Sequence, residues 1–340
     1  MILQALIFSL LLTYCSITVC RRLGLMDVPG GRKDHAGDIP LAGGIAIFLT
    51  VVLISVTQQV TVFSEQLLWV AALLFLIGVI DDALHINPWL RLGVHYFCGI
   101  LMATAAGIAI IQVGDLLTFG TIELLLLCVP LTALAAAGLC NAFNMIDGLD
   151  GLAAGLVLIP LLLLAFLAWQ AGHPMLPALL IIAVPVMVFL LFNLGPNRVW
   201  LPQIFLGDAG SVTLGFLLTA ALVTLSQGQA ALIAPVTALW LVTVPLMDML
   251  ATMLRRMRQG RSPLHPDRLH LHYALLDAGF SPRQVLLLLL AYALCCAGLG
   301  LVLEALPASV SLLLYHLMFL LHCLFVTRGL ERICATHEPA

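Results

Sequence analysis

The chain has 340 residues, 62% of them hydrophobic and only 9% charged, with a net charge of −3 and a mean hydropathy of +1.14. A soluble domain carries about 25% charged residues, so a water-soluble enzyme is excluded. A disordered chain is excluded by the high hydrophobicity, and a nucleic-acid binder by the lack of a basic domain. What remains is an all-α polytopic membrane protein, expected as one membrane-embedded domain over residues 1–340.

Apolar runs separated by polar clusters predict spans at 1–20, 41–57, 67–86, 92–111, 122–140, 152–169, 176–193, 211–227, 230–253, 284–303 and 308–327, eleven in all. The first run has no charge before it and Arg21-Arg22 after it. A secretory leader has the reverse order, which predicts a retained span with its N-terminus outside. Alternating the loops from there puts all fourteen Lys and Arg residues inside. The outer loops hold only acids: Glu65, Asp115, Glu123 and Glu304. Such separation follows the positive-inside rule and predicts an inside C-terminus. Pro130, Pro160, Pro185 and Pro245 fall within spans and predict kinks. The nine cysteines show no zinc or redox spacing, and those in apolar runs read as small core residues.

The chemistry-bearing residues collect on the side of the arginines. Asp81-Asp82 end an apolar run that begins after Gln66. Its fourteen residues rise about 21 Å, short of a 30 Å hydrocarbon core. The helix is therefore expected to run on to Ile86, with both carboxylates at the membrane boundary, where charge is expensive and marks function. Asn141, Asn144, Asp147 and Asp150 recur every three residues, a polar stripe on a helix. Gly148 and Gly151 admit close approach of a ligand or a neighbouring backbone. Amides and carboxylates without cysteine suit a hard cation such as Mg²⁺.

Gly207-Asp208-Ala209-Gly210-Ser211 opens the eighth run; a helix N-terminus favours anions, and Asp208 can hold Mg²⁺ bridging phosphates there. Asp248 either serves the site or makes a structural salt bridge. His270 and His272 lack a third and fourth zinc ligand nearby and, beside Arg268, suit phosphate oxygens better. In an extended segment both rings face one way, with Tyr273 turned aside or offering only its hydroxyl. A transporter would show repeats and a midplane site; the one-sided layout predicts an enzyme instead. The Asp147 to Gly151 stretch also opens like a CDP-alcohol phosphotransferase signature, but Ala154-Gly155 and an uncharged run to Gln170 break that pattern.

The combination resembles the polyprenyl-phosphate N-acetylhexosamine-1-phosphate transferase family. It is carried by GLMDVPGGRKDHAGDIPLAGG (24–44), Asp81-Asp82, NAFNMIDGLDGL (141–152), FLGDAGS (205–211), PLMDMLATMLRR (245–256) and SPLHPDRLHLHYALLDAGF (262–280). NAFNMIDGLDGL and PDRLHLH resemble the bacterial branch that uses UDP-N-acetylglucosamine, rather than the muramoyl-pentapeptide branch with three successive histidines.

The resemblance implies that UDP-N-acetylglucosamine and undecaprenyl phosphate give undecaprenyl-pyrophosphoryl-N-acetylglucosamine and UMP with Mg²⁺ (Mn²⁺ as a substitute). The setting would be the cytoplasmic face of a bacterial inner membrane, at the start of a surface polysaccharide such as O-antigen or common antigen. The alternatives are another UDP-N-acetylhexosamine, or transport of a lipid-linked sugar. Implied catalytic residues are Asp81, Asp82, Asp147, Asp150, His270 and His272. Implied substrate-binding residues are Lys33, His35, Asn141, Asn144, Phe205 (stacking on uracil) and Arg268. Implied metal ligands are Asp208 and Asp81. Membrane lipids are expected partners, nucleic acid is not, and a homodimer is compatible. The family role of Asp81 as base has a chemical counter-argument. The second pKa of a phosphate monoester lies near 6, so the acceptor is largely dianionic at pH 7, and holding it in place matters more than deprotonating it.

Overall fold

In a computed structural model of the protein, residues 1–28, 37–58, 64–265 and 267–325 are described. Lys33 and His35 lie outside them. Among the described residues the fold is helical, apart from one two-stranded antiparallel ladder, β1 (Met26–Asp27) with β2 (Ile39–Pro40). Helix α1 (Ile2–Leu23) ends at Gly24 in the left-handed conformation, whose N–H bonds to the Cys20 carbonyl. After the ladder come α2 (Gly43–Thr57), α3 (Glu65–Leu84) and α4 (Pro88–Thr104). Ser64 caps α3 by accepting the Leu67 N–H, and Asn87 caps α4 with proline in its first turn. Next are α5 (Cys128–Ile146), α6 (Leu152–Gln170), α7 (Leu176–Asn193) and α8 (Gly207–Ser226). Then follow α9 (Pro235–Leu241), α10 (Thr243–Arg258), the short α11 (Leu271–Asp277), α12 (Pro282–Val302) and α13 (Ala308–Leu324).

Among the described residues, seven helical segments are long and apolar enough to cross a membrane, or eight if α9 and α10 form one bent span. Helices α2 and α13 are apolar but shorter. Leu126, Phe119, Trp69 and Leu76 stand open on the outside, an apolar exterior that suits lipid and not water. The predicted ninth span is broken: α9 and α10 meet at 80°. The break lies just before Pro245, which has no N–H to continue the ladder to the Leu241 carbonyl. Pro160 and Pro185 leave α6 and α7 as single helices, and Pro130 falls in the first turn of α5, where no N–H is missed. The fourth run also differs, because α4 stops at Thr104. The connection that follows pairs Gln112 with Glu123 and is tied down by Gln227, whose Oε1 accepts the Ile111 and Gln112 N–H groups.

Helix α8 is the most enclosed of the seven and packs on α2, α3 and α5. Small residues make this possible. A Cβ on Gly44 would overlap the Gly210 backbone, one on Gly78 the Ala209 backbone, and one on Gly215 would stand 2.8 Å from the Leu139 carbonyl. Without a hydrophobic drive between helices in lipid, such close backbone approach supplies the packing energy. It also brings the C-terminal ends of α3 and α5 to the start of α8.

Candidate active site

Consecutive residues on a helix point about 100° apart, so Asp81 and Asp82 at the end of α3 turn to different neighbours. Helix α3 stops at Leu84 and not at Ile86, because His85 adopts a left-handed conformation. The Asp81 side chain secures that stop: Oδ1 accepts the Ile86 N–H at 2.7 Å, and Oδ2 lies 2.6 Å from Arg91 Nη1. Asp82 faces the start of α8 instead. Its Oδ1 accepts the Asp208 N–H at 2.7 Å and its Oδ2 the Ala209 N–H at 3.1 Å. A carboxylate there satisfies two unpaired donors and opposes the helix dipole. Gly207, with φ +72°, leaves room for it; a Cβ would stand 2.7 Å from Asp82 Oδ2.

The Asp208 side chain then points at α5 and α4. Oδ1 accepts from Asn144 Nδ2 at 2.7 Å, and Oδ2 lies 3.1 Å from Arg91 Nη1. Asn144 Nδ2 also reaches Ser211 Oγ at 3.2 Å. Asp147, just past the end of α5, has its carboxyl held well above the usual carboxylate range, first by burial and then by the charges of Asp208, Asp82 and Asp150. Among the described residues, Arg91 is the cation in contact with this group of four carboxylates (Asp81, Asp82, Asp147 and Asp208), through Asp81 and Asp208. Among the described residues no three His, Cys, Asp or Glu side chains already stand in ligating geometry. The excess of hard oxygen donors over positive charge nonetheless fits a divalent cation of the Mg²⁺ type.

Asp150 is turned away from this group. It accepts from Gln203 Nε2 at 2.9 Å and Asn193 Nδ2 at 3.3 Å. With Leu149, Asn193, Gln203 and Arg283 it lines a cavity of about 260 Å³. Asn193 also accepts the Gly151 N–H and donates to the Ile204 carbonyl, stapling the 147–151 turn to the segment before α8. In that segment the Phe205 N–H bonds to the Pro40 carbonyl, while its own carbonyl accepts the Gly43 N–H.

The histidine loop closes the site from the other side. His270 is extended, as expected, but His272 already belongs to α11. The two rings are nonetheless nearly parallel, 5.8 Å between centroids. His272 is fully buried, and neither ring nitrogen has a hydrogen-bond partner among the described residues. Burial, with the charges of His270 and Arg268 adding to it against Asp248, pushes its pKa down to about 4. It is therefore neutral at pH 7. A Cβ on Gly148 would overlap His272 Nε2, so that glycine is what lets the α5 turn meet this loop. Tyr273 does not turn aside: its ring lies 4.1 Å from that of His272, the Arg268 guanidinium sits over it at 4.8 Å from the centroid, and its hydroxyl lies beside Gly148.

Residues 65–226 match the family described as Glycosyl transferase family 4. Along nearly its whole length the chain is similar to proteins named undecaprenyl-phosphate alpha-N-acetylglucosaminyl 1-phosphate transferase. The one from Yersinia pestis is 38% identical over 95% of this chain and 90% of its own. The one from Escherichia coli O157:H7 is 34% identical over 95% and 89%, and the one from Pasteurella multocida 34% over 92% and 88%. The chain belongs to glycosyl transferase family 4.

Of the residues that the family resemblance singled out, Asp81, Asp82, Asn144, Asp147 and Asp208 converge, and His270 and His272 lie across the Gly148 turn. Asn141 does not join them. It is buried between α4 and α5, donating to His95 Nδ1 at 3.1 Å and to the Ala137 carbonyl at 2.7 Å. A spacing of three drifts round a helix, and α5 ends at Ile146, so the stripe divides. Asp150 faces its own cavity, and Arg268 stands at the exposed rim with Asp277 3.9 Å away. Sequence reasoning on this family 4 member missed Arg91, counted only as a charge on the inner side, and Asn193, which carries no motif. It left Asp248 open. The signal available for Arg91 was its position one turn into a capped helix, ten residues after Asp81.

Proposed function

We propose that this chain transfers N-acetylglucosamine 1-phosphate from UDP-N-acetylglucosamine to undecaprenyl phosphate, releasing UMP, at the cytoplasmic face of a bacterial inner membrane. The observation that carries the reading is the convergence of Asp81, Asp147 and Asp208 with Arg91 and Asn144 at the inner ends of α3, α4, α5 and α8. Such a group suits two phosphates brought together with a cation. The acceptor phosphate oxygen attacks the sugar-linked phosphorus, and the bond to UMP breaks. Arg91 and the pre-set amide of Asn144 hold charge and geometry without reorganising. Asp208, with Asp81, would hold Mg²⁺ (or Mn²⁺), and Asp147 adds a third oxygen donor; when bound the ion neutralises pyrophosphate charge. Phe205 and the Asp150 cavity serve the nucleotide, and the loop that carries His270 and His272 serves the donor phosphates.

The same reading takes the chain as an eleven-span protein with outside N-terminus, inside C-terminus and inside motif loops. It supplies the first lipid-linked sugar of a surface polysaccharide. The test is purified protein with Mg²⁺, undecaprenyl phosphate and a panel of UDP-sugars, reading UMP. Release with UDP-N-acetylglucosamine only in the presence of the lipid is expected; none with any UDP-sugar would overturn the reading. Cysteines at Thr121 and Ser262 in a cysteine-free background test the sidedness. Labelling of position 262 from outside would overturn it.

A further inference from the structure

We propose that Asp248 is the positioning residue of the histidine loop, setting the tautomer of His270 and through it the seat of His272. This rests on the reading that the loop serves the donor phosphates. Asp248 lies in α10, 1% exposed. Its Oδ1 accepts the Leu271 N–H at 2.8 Å, the first N–H of α11, and its Oδ2 lies 2.8 Å from His270 Nδ1. A carboxylate only accepts, so Nδ1 carries the proton. The other ring nitrogen, Nε2, faces Arg256 Nη2 at 3.4 Å. A guanidinium only donates, so Nε2 is the acceptor. Arg256 is itself fixed by two 2.8 Å bonds to Asp267 and one of 2.7 Å to the Pro263 carbonyl.

Both nitrogens of His270 are therefore spent inside the protein, and the residue is 4% exposed. His270 is a strut. The loop histidine with ring nitrogens left over is His272, which the strut and the α11 start hold against Gly148, next to Asp147. Asp248→Asn is nearly isosteric but reverses this logic. Its oxygen keeps the Leu271 N–H, its NH₂ then faces His270 Nδ1, and the proton moves to Nε2. There it meets the Arg256 N–H groups head on. A wrong histidine tautomer disables a site whose geometry is otherwise intact.

The experiment uses the full-length protein in detergent, ¹⁵N-labelled at histidine, with His270 assigned by loss of its signal in His270→Gln. The wild type is expected to show the Nδ1–H tautomer at position 270 and Asp248→Asn the Nε2–H tautomer. In kinetics, Asp248→Asn is expected to raise KM for UDP-N-acetylglucosamine about tenfold or more. KM for undecaprenyl phosphate should stay at the wild-type value. An Nε2–H tautomer in the wild type overturns the proposal, and that spectrum decides even where the variant does not fold. An unchanged KM for the nucleotide sugar overturns it too. So does a parallel loss for both substrates with a lowered midpoint, which would make Asp248 merely structural. A wild type that releases no UMP sinks the transfer reading, while the tautomer result still judges Asp248.

Discussion

Asp82 holds Asp208 by its backbone: the Asp82 carboxylate accepts the Asp208 N–H at 2.7 Å and the next one, that of Ala209, at 3.1 Å. The second aspartate of the pair thus acts on the first turn of α8 and aims the Asp208 side chain. Removal of such a cap costs about 0.5–2 kcal/mol. Asp82→Ala is expected to lower the thermal midpoint as well as UMP release, whereas Asp82→Asn, which keeps one acceptor, retains more of both. Equal stability of Asp82→Ala and wild type would refute the capping role.

Arg91 is the cation between Asp81 and Asp208, its Nη1 within 2.6 Å and 3.1 Å of their carboxylates. Arg91→Gln leaves those charges facing each other and removes a preorganised donor, a loss of about 10²–10³ in kcat for comparable sites. Arg91→Lys is expected to recover only part, since an ammonium lacks the planar fork. Steady-state UMP release measures both; a Gln variant near wild type would remove Arg91 from the site.

Gly148→Ala is expected to cost most of the activity. The new Cβ would overlap His272 Nε2 and stand 2.8 Å from the Tyr273 hydroxyl, so the turn carrying Asp147 must move. Gly138→Ala is the control: nothing lies within 4 Å of its Cβ in α5, and alanine favours a helix by roughly 0.5–1 kcal/mol. Comparable activity in the two variants would show that the Gly148 contact is dispensable.

His272 also makes stability depend on pH. Its folded pKa of about 4 lies below the unfolded value of 6.5, so between these the unfolded chain binds the extra proton. Stability is then full above pH 6.5 and falls as pH drops toward 4, by at most about 1.4 kcal/mol per unit for one proton. Asp267, lowered from 3.8 despite its burial by its bonds to Arg256, loses its contribution only below that window. The difference in thermal midpoint between wild type and His272→Gln, followed from pH 7.5 to 4.5, should shift steadily in favour of the variant. A constant difference would mean that His272 titrates alike folded and unfolded.

Asp208→Asn is expected to abolish nearly all turnover while leaving the fold intact, because the α8 start is capped by Asp82 and not by Asp208 itself. Half the wild-type rate at saturating Mg²⁺ would exclude Asp208 as the main metal ligand.

The membrane class, the helical fold and the clustering of chemistry near 81–82, 144–147, 208 and 270–272 were legible in the sequence, because composition, apolar run length and short motifs are local properties. Contacts between distant segments were not. Asn141 and Asn144 look alike on paper, yet one packs against His95 and the other reaches Asp208, since three residues turn a helix side chain by about 300°. Asp81 and Asp82 look like a functional pair, yet one pairs with Arg91 and the other caps α8. Which of two adjacent carboxylates is left to do chemistry depends on the helix ends that α8 packing brings beside them. Pro245 announced a kink, but its 80° extent, and the meeting of Asp248 in α10 with His270 beyond it, required the assembled bundle. The sequence by itself determined what must leave water and which residue types gather at one end of the helices. Only the tertiary structure decided which hydrogen-bond partners they meet there, because those partners lie as far apart in the chain as Asp82 and Asp208.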